Sequence, residues 1–192
     1  MSRKNIVLAD ANIFIFLDKF RFFNFLDEMS SFYGWKIMIT PSVRNECKNR
    51  FTSSRLNSLI NTGVVEVLIE NDREILKSVS KLEKYMVLGA EVELFAIAEN
   101  RKFNVITHDI ENTNIYHINF GRGNFWVYDL FKLFYLAYKA NILGVKDIEK
   151  ALCSLKGYKK VLSSGFVSFV QAMDENIEKH IDPEDVRRFQ RN

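Results

Sequence analysis

The chain has 192 residues, 47% of them hydrophobic and only two of them proline, which excludes a disordered segment or a Pro-rich linker. That length ordinarily makes one domain with a sizeable core. The net charge of +3 is a mild surplus that helps a polyanion approach without demanding one.

The stretch Ile6-Val7-Leu8-Ala9-Asp10-Ala11-Asn12 is an apolar run ending in a carboxylate and an amide, which predicts a buried parallel strand with a polar exit. In open α/β sheets ligands bind beyond the carboxyl ends of the strands, so Asp10 and Asn12 are expected at that rim. Either could instead cap the helix that follows, since their side-chain oxygens accept backbone N–H groups of a first turn. Ile13 to Met29 predicts one aromatic-rich helix, with Phe16, Phe20 and Phe23 on one face and Phe14, Phe22 and Phe25 near the other. A later helix covering the second face is the plainer expectation, and a self-association surface the alternative.

Lys36 to Thr40 predicts a second strand, and Pro41 at a first helical position opens a helix carrying Val43, Glu46 and Cys47. Glu46 either reaches the strand edge or faces Arg50 one turn on as a solvated surface acid. A short helix over Arg55 to Asn61 ends at Gly63. Val64 to Ile69 predicts an edge strand, interrupted by Glu66 and followed by Glu70. Asp72 to Met86 is an amphipathic helix with Ile75, Val79 and Leu82 on one side.

From Leu88 to Ala98, Gly89 breaks the preceding helix and a new one opens with Glu91 and Glu93. Acids at a helix N-terminus are stabilised by the macrodipole alone. These two lie about 200° apart on a helix, so only one can point into a given site, and Glu91 is the better placed. Ala96 and Ala98 permit close packing on a sheet. Phe103 to Asp109 repeats the strand-then-polar pattern, with Asp109, Glu111, Asn112 and Asn114 expected in the loop beyond it. Phe125 to Leu143 predicts an aromatic helix after Gly121-Arg122-Gly123, ended by Gly144. Val145 to Leu155 and Leu162 to Asn176 predict two further helices, and the charged tail from Glu178 to Asn192 is expected to fray.

Cys47 and Cys153, in different predicted helices, make neither a disulfide framework nor a zinc site. No run approaches the roughly 20 apolar residues of a bilayer span. The basic start Met1-Ser2-Arg3-Lys4 leads into an apolar run too short for a signal peptide. A reduced, cytoplasmic protein is expected, with no membrane association.

Alternating strands and helices predict an α/β fold: a three-layer α/β/α sandwich on a mainly parallel central sheet, plus a C-terminal helical extension. The expected division is residues 1–142 as the α/β domain and 143–192 as the extension packed on it. On such a sheet Asp10 and Asp109 end two strands, Glu46 rides the helix after the second, and Glu91 opens the helix before the last. Four carboxylates in one crevice raise each other's pKa unless cations are present, and all-oxygen sites suit Mg²⁺ or Mn²⁺.

The series strand–Asp10-Ala11-Asn12, Val43-x-x-Glu46, Gly89-x-Glu91-x-Glu93 and Val105-Ile106-Thr107-x-Asp109 resembles the PIN domain over roughly residues 4 to 142. The resemblance implies a metal-dependent ribonuclease. In it Asp10, Glu46, Glu91 and Asp109 form the acidic catalytic quartet that binds Mg²⁺ or Mn²⁺, while Asn12 and Thr107 contact substrate. Water activated there would attack an RNA phosphorus in line. The Gly-x-Glu-x-Glu form is similar to one branch of prokaryotic PIN proteins. Toxin-type members are commonly homodimers held inactive by a small antitoxin, which makes RNA, an antitoxin and a second copy the implied partners. The alternative is a catalytically inactive PIN-like module for protein binding or assembly. A haloacid-dehalogenase-like phosphatase fits less well, because that family has a second Asp where this chain has Asn12.

Overall fold

The computed structural model describes residues 5–22, 24–48, 50–85, 89–121, 123, 125–153 and 165–191. Expectations for Met1 to Lys4, Phe23, Met86 to Leu88, Arg122 and 154–164 lie outside the described residues. The chain divides into two compact units, Met1–Leu130 and Phe131–Asn192.

The first unit is built on five parallel strands in the order β3-β2-β1-β4-β5. These are β1 (Asn5–Ala9), β2 (Trp35–Ile39), β3 (Val65–Val67), β4 (Asn104–Ile106) and β5 (Val127–Tyr128). Val7, Leu8 and Ala9 are fully buried although successive side chains point to opposite faces, so helices cover both sides of the central strand. This is the α/β class that the alternating pattern predicts. β3 lies at one edge, as the charges around it require.

Seven helices of this unit are α1 (Ala11–Lys19), α2 (Phe25–Tyr33), α3 (Pro41–Glu46), α4 (Arg50–Asn61), α5 (Arg73–Leu82), α6 (Ala90–Arg101) and α7 (Ile110–Phe120). Where one helix was expected over Ile13 to Met29, the structure has two. Arg21 takes a left-handed conformation (φ 59°), the Arg21 N–H donates to Asp18 O, and the Phe22 N–H donates to Leu17 O. Those two bonds form a Schellman cap, made here by an arginine where the usual signal is glycine. The apolar side of α1 and α2 is covered: Phe14, Leu17, Phe22 and Leu26 share one small apolar pocket with Leu56 and Leu59 of α4. The covering-helix expectation is therefore the one the structure realises, with α4 starting several residues before the expected Arg55.

Two further differences concern the chain after β4. The expected loop after Asp109 is α7, a helix the sequence hides behind Asn112, Asn114 and Asn119, which have low helical propensity. Part of the expected aromatic helix is instead strand β5. The open edge of β4 recruits it, with the Val105 N–H donating to Trp126 O and the Thr107 N–H to Tyr128 O. An unpaired sheet edge outweighs local periodicity there.

The second unit contains nearly all of α8 (Leu130–Lys139), together with α9 (Val145–Leu152), α10 (Phe166–Glu175) and α11 (Pro183–Gln190). α8 stops at a second Schellman cap, with Asn141 at φ 55° and the Ile142 N–H donating to Ala137 O, ahead of the expected stop at Gly144. Phe131 packs on Phe169, Tyr138 on Phe166, and Tyr135 on Phe189. The Tyr135 hydroxyl and the Lys139 ammonium both bond Asp174. The charged tail expected to fray forms α11, opened by Asp182 as N-cap and Pro183 in the first turn. No helix among the described residues is long and apolar enough to cross a membrane. Cys47 and Cys153 are both free thiols.

Candidate metal centre

β1 ends at Ala9, and the Asp10 N–H still donates to Ile106 O of the neighbouring β4 at 3.0 Å, which fixes the backbone at the sheet's carboxyl edge. The Asp10 side chain is fully buried. One of its oxygens accepts the Ala11 N–H at 2.6 Å, and the other accepts the Thr107 hydroxyl at 2.9 Å. Asp10 therefore caps α1 and stands at the carboxyl end of β1, beside β4.

Glu46 is the last residue of α3, whose start is fixed by the Thr40 cap and Pro41. Its carboxylate crosses to α6 and accepts the Ala90 N–H at 3.2 Å, so it sits at a helix N-terminus where negative charge is favoured. Glu91 follows in the first turn of the same helix. Asp10, Glu46 and Glu91 each offer an oxygen, and these three atoms lie within 4.8 Å of one another. Glu93 is not part of this group, in keeping with the opposite faces of a helix.

Asp109 stands beside Glu91 but outside that close group of three. Its carboxylate caps α7, accepting the Asn112 backbone N–H at 2.8 Å and the Asn112 side-chain amide at 3.0 Å. Thr107 links the two aspartates: its hydroxyl donates to Asp10, and its oxygen accepts the Asp109 N–H at 3.0 Å. Asn12 offers its amide to Thr107 at 3.4 Å and accepts the His108 N–H at 3.0 Å. Thr107 thus touches both aspartates, while Asn12 touches Thr107 and the His108 backbone.

The charges are poorly compensated. Among the described residues no lysine or arginine forms an ion pair with Asp10, Glu46, Glu91 or Asp109. Burial pushes the Asp10 carboxyl up to about 7, helped by the charge of Glu91 and, less, of Glu46, against the hydrogen bonds from Thr107 and Ala11. Burial also raises Glu91, with the charges of Asp109 and Glu46 adding to it. Cys47 is raised to about 11 by burial, then by Asp10 and Glu46.

This donor set fits a hard divalent cation. Carboxylate oxygens alone select Mg²⁺, Mn²⁺ or Ca²⁺ over softer metals. Ligand distances of about 2.0–2.6 Å also let two oxygens on opposite sides of an ion stand up to about 5 Å apart.

Three contributors were not expected from the sequence. Asn112 holds Asp109, and the Asp109-x-x-Asn112 spacing of an N-cap is the signal that could have found it. The Ala90 N–H holds Glu46 across a gap of 44 positions, which no local pattern encodes. Gly89 has extended backbone, so its use lies in space: a Cβ there would come within 2.7 Å of the Glu91 carboxylate.

No protein-family model matches the chain, and no curated protein matches it. Among solved structures, the chain is similar to one in the crystal structure of VapBC2 from Rickettsia felis bound to a DNA fragment from their promoter. The identity is 13%, the match covers 65% of this chain and 98% of that chain, and the TM-score is 0.47.

Proposed function

We propose that the chain is a metal-dependent ribonuclease of the PIN type, hydrolysing RNA phosphodiester bonds at the carboxyl edge of its sheet. The observation that carries this reading is the uncompensated group Asp10, Glu46 and Glu91, with ligand oxygens within 4.8 Å. Glu46 is exposed and Glu91 half-buried, but Asp10 is fully buried beside them without a cationic side chain, which is costly unless an ion shares it. Asp10, Glu46 and Glu91 would hold Mg²⁺ or Mn²⁺, with Asp109 at the rim. A divalent cation bound there supplies Lewis acidity toward the attacking water and a phosphoryl oxygen.

The chain's own groups do the rest. Thr107 and the Ala11 N–H hold Asp10 in one orientation, which spares reorganisation during reaction. A free oxygen of Glu91 takes the proton of the attacking water as the new P–O bond forms, and a proton passes to the leaving oxygen as the old bond breaks. An antitoxin partner and a homodimer, implied by the motif series for toxin-type members, belong to the same proposal. Co-expression with the neighbouring reading frame and light scattering test them.

The activity is tested with RNA and millimolar Mn²⁺ against EDTA. Metal-dependent cleavage by the wild type, lost in Asp10→Asn, is the expected result. A protein that binds neither Mg²⁺ nor Mn²⁺ at millimolar concentration would instead be a binding module.

A further inference from the structure

Helix α5 carries Arg73, Lys77 and Lys81 at successive turns, with Lys84 just past its end. At about 100° per residue these four fall within a sector of about 80°. Ile75 and Leu82 are buried on the opposite side, and all four cations are exposed. With Leu76 and Ser80 they line one shallow depression of about 430 Å³. The rise of the helix separates neighbouring cations by about 6, 6 and 4.5 Å along its axis. That spacing is comparable to that of successive phosphates on an extended strand.

Little on this face neutralises it. Glu74 bonds Lys77 at 2.7 Å, but the pair is exposed on both sides, and such pairs exchange readily for other partners. Glu70 and Asp72, at the start of the helix, are turned to Arg101 at 3.0 and 3.1 Å.

Those two ion pairs also set the direction of the face. They join the start of α5 to the end of α6, and the chain leads from Lys84 past the other end of α5 into the start of α6, where Glu91 lies. Tyr85 is four residues from Gly89, a reach of at most about 14 Å. Tyr85 is 53% exposed and its ring meets Phe120 edge-on at 5.5 Å, while Lys81 stands over the same Phe120 ring at 4.8 Å. A row of cations ending in a braced, exposed aromatic is the pairing that single-stranded nucleic acid uses: charge for the backbone and a flat ring for a base.

We infer that the cationic face of α5, ending at Tyr85, is the track along which single-stranded RNA reaches the carboxylates at Asp10, Glu46 and Glu91. What happens at the end of the track rests on the nuclease reading above, whereas the track itself is recognition of phosphates and a base.

The test uses the full chain in EDTA and a labelled oligouridylate, read by fluorescence anisotropy across a salt series. Changing Arg73, Lys77, Lys81 and Lys84 together to Gln keeps helical propensity and touches no buried group. That variant should raise the Kd at least about tenfold and lower the slope of log affinity against log salt by about 3, at about 0.7 per phosphate contact. Tyr85→Ala should weaken binding at least about fivefold with the slope unchanged. Removing four exposed cations elsewhere (Lys146, Lys150, Lys179 and Arg187, each to Gln) should leave the Kd within about twofold.

An unchanged Kd and slope in the α5 variant would overturn the track, as would an equal loss in the control variant. Displacement of the RNA by poly-glutamate at equal charge, with Tyr85→Ala silent, would overturn RNA as the partner. The two readings separate cleanly. Loss of RNA binding in the α5 variant of a protein that never cleaves keeps the track and removes the nuclease. Cleavage with the same KM by wild type and α5 variant does the reverse.

Discussion

The two ends of α6 carry the same kinds of charge in opposite states. At its C-terminus Arg101 reaches Glu70 and Asp72 with its guanidinium, and acids and base neutralise one another in solvent. At its N-terminus Glu91 meets Asp10, Glu46 and Asp109, and no lysine or arginine pairs with any of the four among the described residues. One end of the helix is a finished surface. The other leaves like charges side by side, with the carboxyls of Asp10 and Glu91 raised, and an ion bound there, as proposed, would relieve them.

The sharpest way to break this contrast is Asp10→Asn. Cleavage in Mn²⁺ should fall by more than the 10–100-fold typical of losing an outer partner of a metal site, with circular dichroism unchanged. Arg101→Ala at the other end should leave the rate untouched.

The pH dependence of stability should sharpen it next. Asp10 has a folded value of about 7 against an ordinary 3.8, so the folded protein binds the extra proton. Without metal, the stability that Asp10 contributes should therefore be fully present below about pH 4, decline as pH rises toward about 7, and be gone above it, read as the difference between wild type and Asp10→Asn. The ceiling of that decline is about 4 kcal/mol. Urea unfolding of both proteins in EDTA measures it. A difference with no such decline would remove the electrostatic strain from the site.

A smaller effect is expected at Thr107→Val, which removes the hydroxyl joining Asp10 to Asp109 and leaves an Asp10 acceptor and the Asp109 N–H donor unpaired. That should cost about 1–3 kcal/mol of stability and about 10–100-fold in metal affinity, read by urea unfolding and calorimetry. The smallest effect is on the surface: Arg101→Ala should shift the melting temperature less than Thr107→Val does.

The sequence made the two polar strand exits legible, because Asp10 follows the apolar run Ile6 to Ala9 and Asp109 follows the shorter Val105-Ile106 through Thr107 and His108. Helical geometry admits only one of Glu91 and Glu93 to a site, and the position nearest the N-terminus favours Glu91. The strand order and the Glu46–Ala90 bond could not be read, since they depend on which edges meet in space. α7 stayed hidden because its helicity comes from the Asp109 cap and the packing of Tyr116 with Phe95, not from the propensity of its asparagines. The break in α1 was missed for a related reason. A left-handed cap formed by Arg21 has no residue signal, whereas the one at Asn141 uses a residue that tolerates that conformation. Capping and catalysis also draw on the same residue types. Asp10 and Asp109 both cap helices, and only the distances to Glu46 and Glu91 distinguish a crevice from a pair of turns.

The most direct measurement is the melting temperature of wild type and Asp10→Asn at pH 8, each with EDTA and with millimolar Mn²⁺. Mn²⁺ should raise the wild-type transition clearly and leave the Asp10→Asn protein where EDTA leaves it, itself above the metal-free wild type. Equal transitions for the wild type in Mn²⁺ and in EDTA would mean that the clustered acids stand without an ion.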